Sequence, residues 1–130
     1  MTAIVVFAHG SSVEAANDGV RAMTAEMAQR GHFPIVETAF LELGHPDLRE
    51  AVRQVRAKGA GRVVVVPFFL TVGIHLRRDL PAIVDDLRSI YTDLDIEITS
   101  PLEGHPALVD VMIGRALEAL DRRTHARSSD

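Results

Sequence analysis

The chain has 130 residues, of which 47% are hydrophobic and 25% are charged. This length and balance are typical of one globular domain with a hydrophobic core. The formal net charge of −4 argues against general nucleic-acid binding, because few positive groups are available to neutralise phosphates. The absence of cysteine excludes disulfides, thiolate metal ligands and a cysteine nucleophile. A metal ion would have to be held by His, Asp, Glu or backbone oxygen.

No apolar stretch approaches the roughly 18 residues that a membrane-spanning helix needs. Residues 3–8 are apolar, but this segment is short and lacks the basic start of a signal peptide. We therefore expect a cytoplasmic protein that has no membrane partner.

Two kinds of segment alternate along the chain. Short β-branched or aromatic runs at residues 4–7, 35–40, 63–69 and 96–99 predict four strands. Apolar residues at steps of three and four predict a helix after each strand. Gly31 and Gly59 are predicted to end helices, and Pro106 to begin the last one. The apolar positions are Ala16, Val20, Met23 and Met27 in the first helix, and Leu108, Val109, Met112, Ile113, Ala116, Leu117 and Leu120 in the last.

The βαβαβαβα order predicts an α/β domain with a four-stranded parallel sheet and helices on both sides. We expect the flavodoxin-like strand order 2-1-3-4, a single domain over residues 1–120, and a frayed polar tail over residues 121–130. Ligands of such sheets bind beyond the carboxyl ends of the strands, where the strand order reverses. His9 follows the first strand, and His75 is predicted in the loop after the third. Two distant imidazoles should therefore face one cleft.

Each of these loops has two interpretations at this stage. In the sequence His9-Gly10-Ser11-Ser12, the serines either belong to a ligand site at a helix N-terminus or merely cap the first helix. The apolar residues of segment 70–74 either contact a flat hydrophobic ligand or pack under the third helix. Glu42 and Glu103 lie in loops on the same side of the sheet. Each either helps to move protons or metal, or is simply solvated.

Four segments together resemble the short form of the sirohydrochlorin cobaltochelatase family, which are class II chelatases that need no ATP. They are the His-Gly-Ser after the first strand, residues 37–42, residues 67–81 and residues 101–106. They follow one another in the family's order and span about residues 3–120. The resemblance implies a chelatase-like fold.

The resemblance also implies a lyase that inserts cobalt, or alternatively iron or nickel, into sirohydrochlorin or a related tetrapyrrole in cobalamin or siroheme biosynthesis. No cofactor is implied beyond the substrate metal ion. His9 matches the family's metal-ligating and proton-accepting histidine, and His75 matches its second metal ligand. The chain corresponds to half of the long family members, so a homodimer is implied. The substrate-binding candidates are His45, Leu70, Thr71, Val72, Gly73, Ile74 and His75.

The chemistry of metal insertion suits these residues. Imidazole binds cobalt, nickel and iron(II), and two histidines leave the coordination sphere open. A histidine can also accept a proton, but not on a nitrogen that holds the metal, so the division of labour between the two stays open. Candidate anchors for substrate carboxylates are Arg49, Arg77 and Arg78. Many family members have arginine where this chain has Ser12, which leaves the preferred substrate open.

Two other functional classes can be compared with this interpretation. An α/β-hydrolase is excluded, because the chain has no Gly-x-Ser-x-Gly motif. A non-catalytic module that binds and delivers a metal ion or a tetrapyrrole would use the same two histidines, and only turnover distinguishes it from an enzyme.

Overall fold

The computed structural model describes the backbone of residues 1–128 and the side chains of residues 1–122. Strands and helices alternate, and the four strands form one parallel sheet in the order β2-β1-β3-β4. The predicted fold class and strand order are therefore confirmed. The elements are β1 (Thr2–Ala8), α1 (Glu14–Gly31), β2 (Ile35–Phe40), α2 (Leu48–Ala57), β3 (Arg62–Phe68), α3 (Ile74–Ile90), β4 (Asp95–Ile98) and α4 (Ala107–Ser128).

The ends of the helices follow local sequence signals. α1 ends at Gly31, and His32 then adopts a left-handed φ of 55°. Gly59, two residues beyond α2, has a φ of 100° that glycine adopts without a steric penalty. The Asp47 carboxylate caps α2 by accepting a hydrogen bond of 2.9 Å from the backbone N–H of Glu50. α4 begins directly after Pro106, as predicted.

The hydrophobic core lies between the sheet and the helices α2 and α3. Alternate residues of the two central strands point into it, and they are fully buried, as are Val55 of α2 and Val84 of α3. The chain passes from β1 to β2 in one direction across the sheet and then crosses back, so right-handed connections place α1 on the opposite face from α2 and α3. The fully buried strand residues include Val5, Phe7, Val63 and Val65.

The apolar stripe predicted for α1 is only partly buried. Val20 and Met27 are half-buried and Ala16 and Met23 are exposed, whereas the most buried residues of α1 are Asn17 and Thr24. Burial of these polar side chains is tolerated because each is hydrogen-bonded. The Thr24 hydroxyl donates to the carbonyl of Val20 at 2.9 Å, within the same helix.

α4 is helical, as its pattern predicted, but its apolar side chains are exposed. From Val109 to Arg122 every residue is exposed. The helix continues to Ser128, and residues 129–130 of the predicted tail lie outside the described residues. Within the described part of the chain, no helix is both long enough and apolar enough to cross a membrane.

Candidate active site

The site lies at the carboxyl ends of β1, β2 and β3, next to the reversal in strand order. His9 is the first residue after β1, and Glu42 is the second after β2. Two backbone hydrogen bonds extend the β1–β2 pairing beyond the strands. The N–H of Leu41 donates to the carbonyl of Ala8 at 2.8 Å, and the N–H of Glu42 donates to the carbonyl of His9 at 3.1 Å. These bonds bring His9 and Glu42 side by side.

His9 and Glu42 form an imidazole–carboxylate pair. The ring nitrogen Nε2 of His9 donates to Oε1 of Glu42 at 3.1 Å, and both side chains are more than half exposed. An ionised carboxylate can only accept, so Nε2 carries the hydrogen. In a neutral ring this leaves the lone pair of His9 on Nδ1. A histidine that ligates a metal through one nitrogen commonly donates the other N–H to a carboxylate.

Glu42 was one of two possibilities in the sequence and is here the residue in contact with His9. Its position two residues beyond the second strand, at the same sheet edge as His9, is the signal that could have selected it. Glu103 instead pairs with Arg77 at 3.5 Å. Its backbone N–H donates to the carbonyl of Phe69 at 3.0 Å.

Gly10 allows the His9 loop to lie directly on the Glu42 loop. It has a φ of 92°, and a Cβ atom built there would lie 1.7 Å from the carbonyl oxygen of Glu42. Such a contact is impossible without a backbone shift. Any residue larger than glycine at position 10 would therefore displace either His9 or Glu42.

Asn17 joins the same two loops from α1, where it is almost completely buried. Its side-chain N–H groups donate to the carbonyls of Ser11 and Leu43, both at 2.9 Å, and its Oδ1 accepts from the N–H of Ser11 at 2.9 Å. This role was not predictable from the sequence, because an asparagine within a helical pattern is typical of a solvated face. Capping of α1 by Ser11 or Ser12 is not observed, since the N-cap is Val13 and it has no side-chain cap.

Arg21 fixes the Glu42 loop from a second position on α1. It donates to Glu14 at 2.7 Å and to the carbonyl of His45 at 3.1 Å, and its guanidinium lies 5.0 Å from the ring centre of Phe40. The Arg21 hydrogen bond, followed by that of Asn17, lowers the pKa of the Glu14 carboxyl below its ordinary value. Like Asn17, Arg21 was missed by the sequence interpretation.

The predicted loop position of His75 is wrong, because α3 starts at Ile74 and His75 is its second residue. Gly73 caps the helix in an extended conformation, and its carbonyl accepts from the N–H of Arg77 at 3.1 Å, which closes the first turn. His75 is exposed, and its Nδ1 lies 3.3 Å from Nη2 of Arg78. A guanidinium only donates, so Nδ1 accepts and a neutral ring carries its hydrogen on Nε2.

Residues 70–74 were predicted either to contact a flat ligand or to pack under the third helix, and the structure shows some residues of each kind. Val72 is half-buried and packs against the core below α3. Leu70 and Ile74 are 61% and 81% exposed, and Thr71 and Gly73 are also exposed. The carboxyl end of the sheet thus presents apolar side chains to solvent beside polar ones. Further exposed apolar residues on neighbouring loops are Val13 and Leu43.

An apolar pocket of about 380 Å³ lies beside this segment, between β3, β4 and the start of α3. The Arg77–Glu103 ion pair contributes to its lining. All three arginines suggested as substrate anchors have carboxylate neighbours: Arg77 has Glu103, Arg78 has Asp79 and Arg49 has Asp86. To bind a substrate carboxylate, each of these arginines would have to release the carboxylate that it pairs with in the protein. Other residues that line the pocket are Phe69, Val72, Leu76, Leu80 and Pro101.

His45 lies in the loop that also carries Glu42, and it is exposed. Its backbone is held by Arg21, so its position depends on the same network as Glu42. Among the described side chains, no three of the types His, Asp and Glu are grouped so that they could hold an ion together.

Comparison with known proteins decides the family. The CbiX family model matches residues 3–119. The chain belongs to the CbiX family. The resemblance drawn from the sequence motifs is therefore confirmed over nearly the whole chain.

The similar proteins are named for two different metals, cobalt and iron. A sirohydrochlorin cobaltochelatase of Methanopyrus kandleri is 29% identical, and the match covers 92% of this chain and 98% of that protein. A chloroplastic sirohydrochlorin ferrochelatase of Arabidopsis thaliana is 33% identical over 90% of this chain, but over only 52% of its own length. Among CbiX structures, a cobalamin (vitamin B12) biosynthesis protein from Marinobacter aquaeolei superimposes with a TM-score of 0.83, at 27% identity, over 94% of this chain and 99% of that one.

Proposed function

We propose that this CbiX protein is an ATP-independent chelatase that inserts a divalent metal ion into sirohydrochlorin or a related tetrapyrrole. The single observation that carries the proposal is the His9–Glu42 pair at the carboxyl end of the sheet, beside exposed apolar side chains. Relatives named sirohydrochlorin chelatases support it. Cobalt is the first candidate, because the cobaltochelatase relative matches almost end to end; iron and nickel are the alternatives.

Metal insertion requires the ion to be held loosely before transfer. We assign His9, through Nδ1, and His75 as the two ligands, since imidazole suits cobalt, nickel and iron(II) and two ligands leave the ion open to exchange. The hydrogen bond to Glu42 orients the His9 ring for this role. His75 becomes a ligand through Nδ1 when Arg78 releases that nitrogen.

Insertion also requires two pyrrole protons to leave as the ion enters. After the ion has passed to the ring nitrogens, Nδ1 of His9 is free to accept one of these protons, and the adjacent Glu42 carboxylate stabilises the imidazolium that results. Glu42 itself can accept the second proton. The net charge on the protein is then unchanged, because the protein gains two protons when it gives up one divalent ion. His9 is accordingly both a metal ligand and the catalytic base.

The macrocycle must stay in place while the ion and the protons move. We propose that its flat face packs against the exposed apolar side chains of Leu70 and Ile74. The other residues proposed to contact it are Thr71, Val72, Gly73, His45 and His75. Burying the two exposed apolar residues against a flat ring would contribute about 1.5–3 kcal/mol each. Substrate carboxylates would be bound by Arg77, Arg78 or Arg49 after partner exchange.

We further propose that residues 1–120 form one catalytic domain that acts in the cytoplasm as a homodimer. It would need no cofactor besides the substrate metal, and its partners would include neither nucleic acid nor membrane. The net charge of −4 supports the exclusion of nucleic acid.

The experiment that tests the proposal is an anaerobic assay with sirohydrochlorin and cobalt, iron(II) or nickel, followed by absorbance. We expect catalytic turnover, with more product than protein, fastest with cobalt. Binding of metal or tetrapyrrole without acceleration of insertion would contradict the enzyme and favour the alternative, a delivery module that uses the same histidines.

A further inference from the structure

The two histidines of the site differ in the group that holds each ring. His9 donates from Nε2 to the Glu42 carboxylate at 3.1 Å, which leaves the Nδ1 lone pair of His9 free. His75 accepts at Nδ1 from Nη2 of Arg78 at 3.3 Å, so a neutral ring carries its hydrogen on Nε2. Neither ring nitrogen of His75 then has a free lone pair. One histidine is therefore ready to bind a metal ion, and the other is masked.

The charges of the two partners increase this difference. The Glu42 carboxylate beside His9 attracts a divalent cation, whereas the Arg78 guanidinium beside His75 is always positive and repels one. Arg78 lies three residues after His75 on α3, so both side chains belong to the same surface of the helix. An ion that approaches His75 must therefore displace a cation before it reaches the ring.

The contacts of Arg78 within the protein are local and loose. Its side chain is 72% exposed, and its Nε lies 3.6 Å from Oδ1 of Asp79, which is longer than a good hydrogen bond. Its contact with His75 joins two residues of the same helical turn. A free carboxylate can offer two oxygens to one guanidinium, an arrangement that is stronger than either contact. The guanidinium can therefore change partner without a change in the fold.

The other two candidate anchors are tied more firmly. The ion pair of Arg49 with Asp86 joins α2 to α3, and that of Arg77 with Glu103 joins α3 to the loop after β4. Release of either arginine would break a contact between separate elements. Of the three arginines, Arg78 is thus the one that a substrate carboxylate can take most easily.

We infer that Arg78 masks His75 until a carboxylate of the tetrapyrrole takes its guanidinium, so that the second metal ligand becomes available only when the macrocycle is bound. Arg78 is a positioning residue in this scheme, because it acts through His75. The inference rests on the proposed function, since it takes His75 as a metal ligand and a tetrapyrrole carboxylate as the trigger. Macrocycle and metal ion should then promote each other's binding, because coupling between two binding sites is reciprocal.

The first test measures cobalt(II) affinity by calorimetry, without a macrocycle. Arg78→Ala should bind cobalt(II) about tenfold more tightly than wild type, near the low end of typical couplings because the pair is exposed. Arg30→Ala removes the same charge from an exposed position on α1 and is the matched control, with an unchanged affinity. In a His75→Ala background, Arg78→Ala should change the affinity by less than about twofold, because the arginine acts through that ring.

The second test adds zinc uroporphyrin, a tetrapyrrole with carboxylate side chains whose ring nitrogens are already occupied. At saturation it should tighten cobalt(II) binding by wild type about tenfold, and binding by Arg78→Ala by less than about twofold. The variant also corrects for cobalt held by the porphyrin carboxylates themselves.

Three results would overturn the inference. They are equal cobalt(II) affinities of Arg78→Ala and wild type without the porphyrin, full tightening by zinc uroporphyrin in Arg78→Ala, and a tenfold effect of Arg78→Ala that persists in the His75→Ala background. The last result would mean that the arginine charge acts on the ion without His75. None of these measurements involves turnover, so the insertion assay decides the proposed function separately.

Discussion

The two faces of the sheet are built on different principles. On the face covered by α2 and α3, packing is apolar throughout, with Phe7, Val65 and Val84 almost fully buried. On the face covered by α1, the helix buries polar residues, and Asn17 makes its hydrogen bonds to the loops that carry His9 and Glu42. We infer that the face under α2 and α3 supplies most of the stability, while the face under α1 holds the site in place.

We expect the largest loss of stability from a substitution in the closed core, and one aromatic residue from each face allows the comparison. Phe7→Ala should lower the free energy of unfolding by about 3–5 kcal/mol, because it leaves a cavity in the closed core. Phe68→Ala, at a half-buried position on the other face, should cost less than half as much when both variants are measured by urea denaturation. Equal losses would mean that the two faces are packed alike.

The two buried polar residues of α1 should differ in their effect on metal insertion. Asn17→Ala leaves backbone groups of two loops without partners and should cost about 1–3 kcal/mol of unfolding free energy. It should also slow metal insertion, because His9 and Glu42 lose their common support. Thr24→Ala removes a hydroxyl that bonds only within its own helix, so it should leave the insertion rate of folded protein unchanged. A normal insertion rate in Asn17→Ala would refute the positioning role.

The smallest effect is the pH dependence of the Glu14–Arg21 pair. The hydrogen bond from Arg21 lowers the pKa of Glu14 below its ordinary value of 4.5. The pair therefore stabilises the fold fully above pH 4.5, and this contribution is lost as the pH falls through the lower, folded-state pKa. Glu14→Gln should have a flatter stability profile in that acid range. The Glu14 side chain is 65% exposed and that of Arg21 is 35% exposed, so the difference should shrink in high salt. A profile identical to wild type in low salt would contradict the assignment.

The parts of this molecule that follow from pattern were predictable. Strand order and the place of His9 come from hydrophobic periodicity and connection handedness, which are properties of the chain alone. The buried face of α1 was not predictable, because Asn17 and Thr24 are polar and their burial depends on hydrogen bonds to particular backbone groups. The choice of Glu42 over Glu103 depended on strand pairing beyond the ends of β1 and β2.

Two further differences have simple physical reasons. His75 was predicted in a loop because glycine at position 73 is typical of one, yet the extended Gly73 serves as the helix cap and the helix starts directly after it. The stripe on α4 was predicted correctly as helical, but its apolar side chains are exposed. Periodicity predicts that a helix has an apolar face, and it does not predict what packs on that face.

In the proposed mechanism, His9 and His75 hold the ion, and His9 then accepts a proton beside Glu42. The most direct measurement is the rate of cobalt insertion into sirohydrochlorin, under anaerobic single-turnover conditions, by His9→Ala, His75→Ala and the double variant, with His32→Ala as a matched control outside the site. Each single variant should remain folded by circular dichroism and lose about 10²–10⁴-fold in rate, and the double variant should lose little more, because both residues act on one ion. Near wild-type insertion by both single variants would show that His9 and His75 are not the pair that holds the ion.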